Sequence, residues 1–145
     1  MEVKTILLIL FALCAAPAWS QSDAKAGAAD AAGGIVSDSG LVYRALKEGH
    51  GASPLATDMV KVHYRGTFPD GREFDSSYAR GQPAEFMLNR VIKCWTEGVQ
   101  RMKVGGKAML TCPPSIAYGA RGAGRVIPPN ATLQFEIELL DISRR

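Results

Sequence analysis

Tyr64, Phe74, Phe86, Trp95, Tyr118 and Phe135 lie on separate stretches of the chain, and Val91-Ile92 stands just ahead of Trp95. Rings brought together from distant stretches can line an apolar site, although each taken singly reads as ordinary core. The polar groups among them are few, with Asp75 directly after Phe74. Such a set suits recognition of an apolar group held by a few hydrogen bonds. Covalent chemistry has no comparable signature: the sequence contains no HExxH, CxxC, GxSxG or Walker A pattern. Gly119, Gly122 and Gly124 form GxxGxG, the wrong order for a dinucleotide fingerprint. His50 and His63 lie far apart without an evident catalytic partner, and two histidines with three cysteines leave little for a transition-metal site. No metal and no cofactor is expected.

The elements that carry these groups read mostly as strands. Val60, Val62 and Tyr64 alternate with Lys61, His63 and Arg65 over Met59 to Arg65. From Thr132 to Ile142 the same period sets Leu133, Phe135, Ile137 and Leu139 on one face of a half-solvated strand. Leu41 to Leu46 and Lys107 to Cys112 are shorter strand candidates, and Pro69-Asp70-Gly71 is a turn. Ile92, Trp95, Val99 and Met102 break the period with steps of three and four, the spacing of one helix face, closed by Gly105. One helix among strands predicts an α+β domain with the helix laid on a sheet face. The stretch from Pro113 to Asn130 is a long loop, a form that is often functional.

At 145 residues, 47% hydrophobic and 21% charged, the composition fits one globular domain, and 15 glycines with 8 prolines fit many turns. A net charge of +3, dispersed along the chain, does not argue for nucleic acid. Residues 1–20 combine Lys4, the apolar run Ile6 to Leu13 and the small residues Ala15, Ala16, Ala18 and Ser20, a signal-peptide pattern too short to span a bilayer. Residues 21–37 are rich in Ala, Gly, Ser, Asp and Lys and read as a flexible linker before a domain at 38–143. Once the leader and Cys14 are removed, Cys94 and Cys112 remain, and two cysteines in an exported chain favour one disulfide.

In chain order, Val62-His63-Tyr64-Arg65-Gly66, Asp70-Gly71, Phe74-Asp75-Ser76-Ser77, Phe86-Met87-Leu88, Val91-Ile92-Lys93 and Trp95-Thr96-Glu97-Gly98 are followed by Ala117-Tyr118-Gly119, Ile127-Pro128-Pro129-Asn130, Ala131-Thr132-Leu133 and Glu138-Leu139-Leu140. This ordered set resembles an FKBP-type peptidyl-prolyl cis-trans isomerase domain. It looks most like the exported, single-domain bacterial form related to the macrophage infectivity potentiator group. The resemblance implies a bent antiparallel sheet of five to six strands wrapped around one short helix. It implies Trp95 as the floor of an apolar pocket, with Tyr64, Phe74, Val91, Ile92 and Phe135 as walls and Ile127 among the substrate-binding residues. Asp75 would stand at the rim with Tyr64, and the Tyr118 hydroxyl and Ile92 N–H would hold substrate carbonyls. Phe86 reads as core rather than site. The family topology sets the helix start over the strand ending at Cys112, which pairs Cys94 with Cys112.

By the same resemblance the activity is rotation of X-Pro bonds in exported polypeptides, with a folding chaperone or proline-peptide binding module as the alternative. X-Pro polypeptides, and macrolides such as rapamycin, are the implied ligands. The leader points to export, and the terminal Ile142-Ser143-Arg144-Arg145 lacks a Lys-Asp-Glu-Leu-type signal, so the periplasm is the expected site, with outer-membrane association or secretion as variants. A monomer is expected, with no integral membrane segment after leader removal.

Overall fold

Alternation of apolar and polar residues builds the two longest strands of the computed structural model, which describes residues 33–144. Strand β3 (Met59–Thr67) buries Val60, Val62 and Tyr64, and β7 (Leu133–Ser143) buries Leu133, Phe135, Ile137 and Leu139. The two pair antiparallel along nearly their whole length, from Met59 opposite Ser143 to Thr67 opposite Gln134. On the other side of β7 lies β6 (Lys107–Cys112), and beyond it β2 (Val42–Lys47) and the two-residue β1 (Ile35–Val36). The free side of β3 is shared by two four-residue strands, β4 (Glu73–Ser76) and β5 (Ala84–Met87).

The sheet therefore has seven strands, more than the five to six expected. The additional elements are short: β1, β4 and β5 span two to four residues, too few to display a period of two. The sheet also reaches upstream of residue 38, since Ile35 faces Tyr43 and Val36 faces Val42. The leader at 1–20 and the linker as far as residue 32 lie outside the described residues. Among those described, no helix is long and apolar enough to cross a membrane.

Helix α1 (Ser77–Arg80) fills the break between β4 and β5, capped at its start by the Ser76 hydroxyl, which accepts from the Ala79 N–H. Helix α2 (Lys93–Gln100) buries Cys94, Trp95, Gly98 and Val99 against the sheet. It is shorter than the run to Gly105 that the spacing suggested. Arg101 caps it, and Met102 reaches the core from the turn that follows. Cys94 in its first turn is joined by a disulfide to Cys112 at the end of β6, with both residues wholly buried and their Cα atoms 5.8 Å apart.

Candidate functional site

Trp95 faces the sheet from α2 and is only 4% exposed. Three rings pack against it nearly at right angles: Tyr64 from β3 at 5.2 Å, Phe86 from β5 at 5.4 Å and Phe135 from β7 at 5.4 Å between centroids. Edge-to-face contact places the positive rim of one ring on the negative face of another, so the cluster is held by geometry as well as burial. Its indole Nε1 is buried, and among the described residues it has no hydrogen-bond partner. Above this cluster a hollow of about 300 Å³ opens to solvent, bounded further by Phe74, Val91, Ile92 and Tyr118.

The width of the hollow depends on Gly66. A Cβ there would lie 2.6 Å from the Phe74 ring and 3.1 Å from Phe135, so only glycine lets these two rings meet edge to face at 5.6 Å. A 3₁₀ turn at Leu88–Arg90 delivers Val91 and Ile92 to the rim, tied to α2 by the Thr96 hydroxyl, which donates to the Leu88 carbonyl at 2.7 Å. Among the described residues the Ile92 N–H and the Tyr118 hydroxyl have no protein hydrogen-bond partner, and both border the hollow. Tyr118 is 39% exposed, on the segment following β6.

Polar order at the rim comes from three side chains. The Tyr64 hydroxyl donates to Asp75 Oδ2, Arg80 donates to Asp75 Oδ1, and Arg80 Nη2 also donates to the Tyr64 hydroxyl at 3.0 Å. Burial alone pushes the Asp75 carboxyl up, but the bonds from Tyr64 and Arg80 outweigh it and hold the group below the ordinary carboxylate value. Burial, then the bond to Asp75, pushes the Tyr64 phenol up. Behind Tyr64, strand pairing is interrupted between β4 and β5. There Ser77 Oγ substitutes for a neighbouring strand, accepting the Tyr64 N–H at 2.7 Å and donating to its carbonyl at 3.2 Å.

The structure gathers Tyr64, Phe74, Asp75, Val91, Ile92, Trp95, Tyr118 and Phe135 around one hollow. Ile127 is not among the residues that bound it. Backbone hydrogen bonds with Ala123 turn Ile127 inward, and it lines a neighbouring depression instead. Phe86 belongs to the hollow as well as the core, a correction that follows from β5 lying beside β3. Arg80 and Arg90 are additions; Arg80 reaches Asp75 only because the short α1 folds the chain back. Among the described residues no group of three or more His, Cys, Asp or Glu could hold a metal ion.

A seven-stranded antiparallel sheet with Trp95 of α2 at the base of an aromatic hollow sets the frame for comparison with known proteins. Residues 51–140 match the model of the FKBP-type peptidyl-prolyl cis-trans isomerase, and the chain belongs to that family. It is 55% identical over 105 residues to the FKBP-type 22 kDa peptidyl-prolyl cis-trans isomerase of Escherichia coli K12, covering 72% of this chain and 51% of that protein. It is 53% identical over 103 residues to FK506-binding protein 1 of Dictyostelium discoideum, covering 70% of this chain and 96% of that protein. The crystal structure of FkpA from Escherichia coli superposes with a TM-score of 0.72 at 50% identity, over 74% of this chain and 50% of that one. The chain spans about half the length, or less, of several bacterial relatives it matches.

Proposed function

We propose that the domain is a peptidyl-prolyl cis–trans isomerase that rotates X-Pro bonds in exported polypeptides. The observation that carries this reading is the open hollow floored by Trp95, of a size and apolarity suited to a prolyl ring. Rotation of a peptide bond must surrender amide resonance, a barrier of about 18–20 kcal/mol, and breaks no covalent bond. The protein therefore has only to bind the twisted amide better than either planar form. Aromatic walls hold the ring and exclude the water that would hydrogen-bond to the planar carbonyl. The Ile92 N–H and Tyr118 hydroxyl supply donors for substrate carbonyls. Asp75, oriented by Tyr64 and Arg80, presents a fixed carboxylate at the rim.

Proline-limited refolding of a client protein tests this. The wild type is expected to accelerate it, and Asp75→Ala to reduce the acceleration by about tenfold, since Tyr64 and Arg80 lose their common partner. Suppression of aggregation without any acceleration would favour a chaperone and refute the enzyme. Because Asp75 stays ionised and Tyr64 stays a phenol, the rate enhancement should be flat from roughly pH 5 to pH 9. Below that window the contribution of ionised Asp75 to folding, present above its unfolded value, is lost as pH falls through the lowered folded value. A bell-shaped profile centred near neutrality would contradict these assignments. Rapamycin is expected to compete for the hollow. Two features support export to the periplasm: the leader pattern at 1–20 and a disulfide suited to an oxidising compartment.

A further inference from the structure

A second depression, of about 450 Å³, opens beside the Trp95 hollow. The two share a wall, because Phe68 lines the second and packs on Phe74 of the first with centroids 5.0 Å apart. Its rim carries Arg72, Arg121 and Arg125. Arg72 is answered by Asp70 at 2.7 Å and lies over the Phe68 ring. Arg121 and Arg125 are exposed and, among the described residues, have neither an ion pair nor a side-chain hydrogen bond. Arg90, on the lip of the hollow itself, is likewise unpaired, whereas the charge of Asp75 is met by Arg80. The mouth of the site thus carries guanidinium groups that no carboxylate among the described residues pairs with.

The loop that presents them is shaped by its backbone. Ala123 and Ile127 exchange hydrogen bonds of 2.9 and 3.1 Å, closing a tight turn that holds Arg125 and the 56% exposed Val126 at its tip. Gly122 makes the turn possible: its φ is +66°, and a Cβ there would lie 2.3 Å from the Ile127 carbonyl oxygen.

We infer that this second depression is a flanking subsite for acidic residues, so that the preferred substrates are X-Pro segments with Asp or Glu near the proline. The inference rests on the isomerase reading of the Trp95 hollow. An extended chain advances about 3.3–3.6 Å per residue, so a residue within roughly three positions of the proline reaches past the Phe68–Phe74 wall. Guanidinium groups bind carboxylates in a forked geometry, while Phe68 and Val126 receive the aliphatic stem.

The test uses the full chain and peptides that share one X-Pro core and differ only in carrying Glu, Gln or Lys at the three positions on each side. Exposed charge pairs are individually weak, so kcat/KM is expected to favour the Glu peptide over the Gln peptide by about three- to tenfold at low salt. The preference should collapse at high salt and in Arg121→Gln/Arg125→Gln, with turnover of the Gln peptide unchanged. Equal turnover of Glu and Gln peptides, a Lys peptide as good as the Glu peptide, or a preference surviving in the double variant would overturn the subsite. If no peptide is accelerated, the isomerase reading fails separately, and calorimetric affinities for the same peptides and variants decide the subsite by the same ratios.

Discussion

Trp95→Ala should lower the melting temperature by roughly 12–20 °C and abolish measurable acceleration of proline-limited refolding. The indole is almost wholly buried and meets Tyr64, Phe86 and Phe135 edge to face, so its removal forfeits transfer free energy, three ring contacts and close packing at once. Truncations of this kind cost about 3–5 kcal/mol, which sets the melting shift. No group among the described residues accepts the Nε1–H, so an apolar replacement removes no protein hydrogen bond seen there. Trp95→Phe should retain more stability, losing about 1–2 kcal/mol, yet still slow catalysis by about tenfold, because a smaller plane lies farther from the prolyl ring. Thermal melts and refolding kinetics on the two variants check this; wild-type acceleration by a folded Trp95→Ala protein would remove the floor from the mechanism.

The Cys94–Cys112 bond carries the second large effect. It spans a sequence separation of 18, for which chain-entropy arguments give about 3 kcal/mol of stabilisation. Cys94→Ala/Cys112→Ala is therefore expected to melt roughly 12 °C or more below the wild type. Both cysteines are wholly buried, so a reductant should reach them only through unfolding. Mass spectrometry should show the oxidised form persisting in reductant under native conditions and disappearing once denaturant is added. A double variant melting with the wild type would show that the fold already fixes this junction of helix and sheet.

Strands β3 and β7 were legible because nine and eleven residues show an alternation that only one face can bury. The helix was legible because Trp95, Val99 and their neighbours follow a different period. Strands β4 and β5 were not, since each has four residues and exists only by pairing with the same side of β3. The same brevity hides part of the site. Phe86 rides on β5, so without the strand its ring had no reason to face Trp95. Arg80 acts five residues from its partner Asp75, a spacing marked by no local rule, and the intervening turn brings them together. Ile127 lies beside the hollow rather than on its wall, in an orientation set by the backbone exchange with Ala123, which residue types alone do not reveal.

The margins of the sheet have a further consequence. On one side β1 covers only Val42 and Tyr43, and the remainder of β2 carries Arg44 and Lys47 around a register shift. On the other, β4 and β5 are short and are broken apart by α1. Among the described residues neither border offers a long, uncharged strand on which another chain could add itself. Edges of this kind disfavour the addition of a foreign strand, so the domain is expected to stay out of amyloid-like assemblies when mixed with aggregating chains.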